Sequence, residues 1–220
     1  MLLFINMAQN GNKEEHILEV KASDKYKTAD ELFKRSQPNS VYYTLLILSA
    51  VIIAAGLLLN NNPIVIGGML ITPVLTPVLA ISLGLIVNRF ADVKNTSLLI
   101  LKSFLLIILI SLLLSLLLGF KQDIKILENT VRAAILYFIV ALGSGIAATF
   151  AWIRKEISDV LPGVSIAVSL VPPLSLAGIW LSVLNLDNAR FYFLVFLFNL
   201  IGILVGSFAV FYLLKFYKVK

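Results

Sequence analysis

Two stretches of this chain, residues 64 to 87 and 162 to 184, are long and apolar enough to span a bilayer, yet each holds a pair of prolines near its middle. These are Pro73 and Pro77 in the first and Pro172 and Pro173 in the second. Proline removes a backbone donor and clashes with the preceding turn, so a spanning helix with two of them is kinked or interrupted. Laying Gly68 on Gly163 brings Pro77 onto Pro172, and the order of small residue, apolar run, proline, then Leu, Ser and Gly roughly coincides. The chain therefore holds one motif twice. Interrupted helices at matching positions of two halves are a sequence pointer to a transport site.

Composition sets the solvent. Of the residues, 60% are hydrophobic and 14% charged, and the mean hydropathy is +0.97, which requires an integral membrane protein. Six apolar runs, residues 41–59, 64–87, 97–120, 133–153, 162–184 and 191–214, each approach the roughly 20 residues that a spanning helix needs. They are continuously apolar, without the alternation of an outer-membrane barrel strand, so the expected fold is all-α. Three spans precede Lys121 and three follow Arg132. An odd number inverts the second copy, which predicts two inverted three-helix repeats, 41–120 and 133–214, with the second and fifth helices broken at their prolines. A polar arm (1–40) and a basic tail (215–220) flank the membrane domain.

The net charge of +6 does not point to nucleic acid, because the basic residues are spread over loops and ends. Placing both termini in the cytoplasm puts 13 lysines and arginines inside and leaves Lys121, Lys125, Arg132 and Arg190 outside, the asymmetry expected of a multi-pass protein of the inner membrane. No signal peptide is read in the first residues, and the absence of cysteine excludes disulfides and thiolate sites. In the arm, Thr28 and Glu31 have capping-box spacing and Pro38 supplies a stop, predicting a short helix near residues 28–37. It lies either on the membrane surface or in solvent as a connector.

Candidate functional residues gather at the prolines. Thr72 and Thr76 each precede a proline, the arrangement that starts a helix, and a restarting helix aims free N–H groups and its positive end at an anion. The expected substrate-binding set is Gly67, Gly68, Thr72, Pro73, Thr76 and Pro77 with Gly163, Ser165, Ser169, Pro172, Pro173 and Ser175. Glycines would permit close backbone approach, hydroxyls would coordinate the solute and prolines would set the breaks. The competing reading is of plain proline kinks whose freed carbonyls are satisfied by Ser and Thr.

Other chemistry is thinly supplied. No Asp or Glu lies within the six runs, so a carboxylate relay has no candidate. His16 has no second imidazole or cysteine beside it, so neither a metal nor a cofactor is expected. Lys102 is the one ionisable group in a run; it lacks a nucleophile to serve as base, and it either snorkels to the interface or offers a counter-charge to an anion. An enzyme is not expected. Small-residue faces at Gly202 and Gly206, at Ala141, Gly145 and Thr149, and at Ser103, Ser111 and Ser115 suit close helix packing, within the chain or across a homodimer. The short turn Asn60–Asn62 predicts an antiparallel hairpin.

The run from Leu57 to Leu85, with Gly68-Met-Leu-Ile-Thr-Pro73 inside it, and the later Val171-Pro-Pro-Leu174 resemble the domain-of-unknown-function 389 family of prokaryotic hydrophobic membrane proteins, over residues 28–184. The resemblance implies a polytopic helical fold and brings no substrate with it. Longer members carry a soluble domain ahead of the first span, to which the arm here corresponds at most as a remnant. The expectation is a secondary transporter or channel for a small solute or ion, with membrane lipids around it. The alternative is a non-transporting scaffold or subunit that docks other membrane proteins through its small-residue faces.

Overall fold

The structure is a computed structural model that describes residues 20, 22–119, 131–154 and 170–218. Among these residues the chain is helical throughout: α1 (Ala22–Arg35), α2 (Ser40–Leu58), α3 (Asn62–Ile71), α4 (Leu75–Ile86), α5 (Phe90–Leu118), α6 (Val131–Ile153), α7 (Val171–Ser182), α8 (Leu186–Leu213) and a 3₁₀ turn, Phe216–Lys218. Four helices, α2, α5, α6 and α8, are long and apolar enough to cross a bilayer, or five spans if α3 and α4, bent by 50° at their junction, are counted as one. The chain is a multi-pass membrane protein. The sixth expected span is represented only by α7, 12 residues long, because residues 155–169 lie outside the described set.

Hairpins are built by one device. At the ends of α2, α4 and α7 a residue with positive φ, Asn60 (51°), Asn88 (59°) or Leu184 (56°), turns the chain. The next N–H then closes onto a carbonyl five residues back: Asn61 to Gly56, Arg89 to Gly84 and Asn185 to Trp180. This is the Schellman pattern. The same three residues then act as N-caps of α3, α5 and α8. The Asn61 and Asn185 side chains accept from the Ile64 and Asn188 amides, which places successive helices antiparallel with no spare residues.

Small residues are consumed where helices cross. A Cβ on Gly145 would strike the Ile203 carbonyl, one on Gly206 the Leu142 carbonyl, and one on Gly202 the Ala141 side chain at 2.8 Å, so α6 and α8 lie backbone against backbone and form the most extensive helix pair. Ser103, Ser111 and Ser115 face inward and are buried; Ser103 meets the Tyr42 hydroxyl at 2.9 Å and Ser115 meets Ser182 at 2.7 Å.

Helix bounds recur along the chain. Adding 96 to the bounds of α4 (75–86) gives 171–182, the bounds of α7, and adding 96 to the start of α5 (90) gives 186, the start of α8. The partners exchange in step. Ser82 of α4 donates to the Leu204 carbonyl of α8 at 3.1 Å, while Gly178 of α7 abuts the Ile108 carbonyl of α5, and 82 and 204 are 178 and 108 shifted by 96 in opposite directions. In this match Pro77 falls on Pro173, each at the third position of its helix, one residue from the Pro77–Pro172 pairing suggested by the sequence.

The arm helix α1 begins six residues earlier than its capping pair predicts and docks on the end of the bundle. Thr28, Ala29, Leu32 and Phe33 are buried. The Arg89 guanidinium lies 4.5 Å from the Phe33 ring centroid and that of Arg35 lies 5.4 Å from Trp152. Lys25 Nζ donates to the Leu214 carbonyl at 2.5 Å, and partial burial, then the neighbouring Lys215 and Lys218 cations, lower its pKa. One face of α1 is thus packed on protein, while Tyr26 on it stays exposed.

Candidate functional site

Between α3, α6, α7 and α8 lies a cavity of about 590 Å³. It is lined by Asn60 and Asn62 at the α2–α3 turn, Val65, Ile66 and Met69 from α3, Tyr137, Val140 and Ala141 from α6, Pro172, Pro173 and Leu176 from α7, and Tyr192, Val195 and Asn199 from α8. Asn199 is the deepest polar group along α8. It lies 13 residues after Leu186, about 20 Å at 1.5 Å per residue, near the midpoint of the 28-residue helix. The cavity thus reaches from one end of the bundle to mid-depth, and none of the described residues that line it is charged.

The 50° bend between α3 and α4 falls at the first pair of prolines. Thr72 is extended (φ −66°, ψ 123°), as expected for a residue before proline, and it ends α3. Its hydroxyl donates back to the Gly68 carbonyl at 3.1 Å, so here the side chain satisfies backbone, as the proline-kink reading holds. The helix does not restart on a threonine cap: Val74 is the N-cap of α4 and no side chain caps it. Thr76 and Pro77 sit inside the first turn, where a missing N–H costs nothing. Likewise α7 begins at Val171 with Pro172 and Pro173 as its second and third residues and Leu170 as an uncapped N-cap.

Of the expected site residues among those described, Pro172 and Pro173 line the cavity and the others do not. Gly68 is buried against Ile53, whose side chain a Cβ would meet at 2.6 Å, so its role is packing; Gly67 has nothing within 4 Å and permits no close approach. Thr72, Pro73 and Thr76 are half-buried at the break and Pro77 is buried in α4. Ser175 is buried with its hydroxyl unpartnered among the described residues. Gly163, Ser165 and Ser169 lie outside the described residues.

Sequence reasoning missed Asn199, Tyr192 and Tyr137. Asn199, 5% exposed, was detectable as an amide inside a continuous apolar run, a placement that costs free energy unless it has a use. The tyrosines carried no such signal, since an aromatic in a membrane helix is ordinary. A second cavity, about 460 Å³, lies at the start of α5 under the α1–α2 elbow and is lined by Phe33, Gln37, Tyr43, Asp92, Thr96, Leu99 and Lys102 among others. Lys102 thus belongs to a different pocket from the prolines. No group of acidic or histidine side chains among the described residues is arranged to hold a metal.

The comparisons agree with this architecture. A family described as Domain of unknown function (DUF389) matches residues 69–205, from within α3 to within α8, more than half of the chain. The chain belongs to the DUF389 family. The match takes in both proline-bearing segments and leaves out α1 and α2, which the resemblance read from sequence had included. A relative from Methanocaldococcus jannaschii, itself an uncharacterised protein, is 25% identical over 148 residues, which is 67% of this chain and 46% of that protein. The chain thus spans less than half the length of that relative. No solved structure matches.

Proposed function

We propose that this DUF389 protein is a secondary transporter or channel for a small solute, built from two inverted repeats and working by exchange of access. The observation that carries the reading is the cavity of about 590 Å³ that joins the first half of the broken span to the paired prolines of α7 at mid-depth. Discontinuous helices around a midplane cavity are the recurring design of such carriers. The 96-residue recurrence of helix bounds and the swapped contacts of α4 on α8 and α7 on α5 support the repeat.

A cavity beside each half supports the exchange. Tyr192, Val195 and Asn199 line the first, and two of the residues 96 positions earlier, Thr96 and Leu99, line the second, while the third, Ser103, is buried and bonded to Tyr42. The first cavity reaches the Asn60 turn, the end that the lysine and arginine distribution places outside. The alternative form opens around Thr76, Pro77, Thr96 and Ser103 instead. The scaffold alternative is weakened because Gly145, Gly202 and Gly206 are taken up within the chain.

Reconstitution into liposomes with a panel of small solutes tests the reading. Saturable flux that Asn199→Leu lowers by about tenfold, on the order of one buried hydrogen bond, is the expected result. Protein that is folded in the vesicles yet passes no solute on the panel sinks it.

A further inference from the structure

We infer that the second cavity, at the start of α5 under the α1–α2 elbow, binds an anionic phospholipid, with Lys102 taking the phosphate and the leucines of α5 carrying an acyl chain. This site is separate from the cavity of the transport reading and does not need that reading.

Lys102 is a cation set inside an apolar run. It lies five residues past Ser97, where that run begins, about 8 Å along the helix. The residue is exposed and shares one side of α5 with Leu98, Leu101, Leu105 and Leu109, each at least half exposed, because steps of three and four residues stack on a helix face. A charge in such a lipid-facing stripe is costly unless it reaches water or an anion. Helical side chains lean toward the helix N-terminus, and α5 starts at the elbow. The ammonium is thereby directed back toward the cavity of about 460 Å³, which Lys102 and Leu98 both line.

One helix thus joins a polar pocket to an apolar track, the division a phospholipid has between headgroup and chain. Gln37, Tyr43 and Asn95 also line the pocket and bring neutral donors for phosphate oxygens. Asp92, which lines it too, is engaged by Arg89 at 2.7 Å, so this acid does not cancel the charge that Lys102 brings. Basic pockets between membrane helices are where anionic headgroups bind. Leu98 belongs to both pocket and track, so a lipid fills both at once, whereas a phosphate without a chain takes the pocket alone.

Native mass spectrometry of the full chain released from detergent micelles tests the site with three probes: dioleoyl phosphatidylglycerol, dioleoyl phosphatidylethanolamine and glycerol phosphate, which has no chains. Phosphatidylglycerol is expected to bind about tenfold more tightly than phosphatidylethanolamine. Lys102→Gln is expected to bring it down to the phosphatidylethanolamine level and Lys102→Arg to keep it. Lys94→Gln, which removes an exposed cation of α5 that does not line the pocket, is expected to leave it unchanged. Replacing an exposed side chain disturbs little packing, and an unchanged unfolding midpoint of Lys102→Gln checks that the fold is kept. Equal retention of the two lipids overturns the inference, as does phosphatidylglycerol binding that ignores Lys102→Gln. An equal loss in Lys94→Gln overturns it too, since that is general attraction to a basic surface. Glycerol phosphate held as tightly as phosphatidylglycerol also overturns it, by assigning the pocket to a free phosphate compound.

Discussion

Leu184 is a β-carbon-bearing residue held at φ 56° and 84% exposed, where its side chain brings little packing to offset the left-handed conformation. That conformation costs an L-residue roughly 1–2 kcal/mol, less for Asn, so Leu184→Gly is expected to stabilise the protein by about 0.5–1 kcal/mol after glycine's extra entropy loss. Asn88→Gly, at φ 59°, is expected to gain less. Denaturant unfolding in detergent micelles checks both, and a loss of stability in Leu184→Gly counts against the turn geometry. Glycines make a sharper contrast. Gly206→Ala drives a Cβ into the Leu142 carbonyl, backbone that has no rotamer to yield, whereas Gly67→Ala enters open space. The first is expected to cost about 1–3 kcal/mol, the second to be neutral or stabilising by up to about 1 kcal/mol through helix propensity. Equal effects in the same unfolding assay would show that the α6–α8 contact is looser than described. Sequence reading gave both glycines one role because each lay beside the prolines; only the neighbouring helix separates Gly68, on Ile53, from Gly67, on nothing.

At the scale of elements, the break between α3 and α4 belongs to Pro73 and Pro77 jointly. Pro73 forbids helix at Thr72 and cannot itself donate, and Pro77 cannot bond a carbonyl four residues earlier, so either one alone prevents a straight span. Pro73→Ala by itself is therefore expected to keep the 50° bend. The double change to alanine lets the span straighten, and transport is expected to fall about tenfold, the equivalent of ~1.4 kcal/mol in a barrier. Unchanged flux in the double variant would reduce the prolines to kinks. The arm helix is a second case. Phe33, buried under Arg89 and near Gly84, anchors α1 to the ends of α4 and α5. Phe33→Ala is expected to cost about 3 kcal/mol or more and to expose α1 to protease, which limited proteolysis of vesicles reads directly. Thr28 and Glu31 lie inside α1 rather than at its start, and local signals cannot say what a helix packs against.

Across the whole molecule, orientation and exchange are the open quantities. The cysteine-free chain makes labelling clean. Asn60→Cys is expected to react with an impermeant reagent from outside intact cells and Asn88→Cys only after the inner face is opened; the reverse pattern inverts the topology and sends the cavity inward. Removing the hydroxyl of Tyr42 unlatches Ser103, so Tyr42→Phe is expected to raise labelling of a cysteine at Thr96 several-fold, on the order of the ~1 kcal/mol that one hydrogen bond supplies. Labelling that does not change would argue against a mirrored inner cavity. The sequence by itself determined the solvent and the helical class, and its first proline pair marked the place where α3 gives way to α4 at a 50° bend. These depend on hydropathy, proline sterics and counts of apolar residues, all of which are local. Only the tertiary structure decided that the prolines of α7 meet the walls of α3 while those of the first span do not, and that Asn199 and two tyrosines complete the cavity. Which faces of separate helices share a space depends on crossing geometry, and that is set by contacts between residues about a hundred positions apart, such as Ser82 on Leu204.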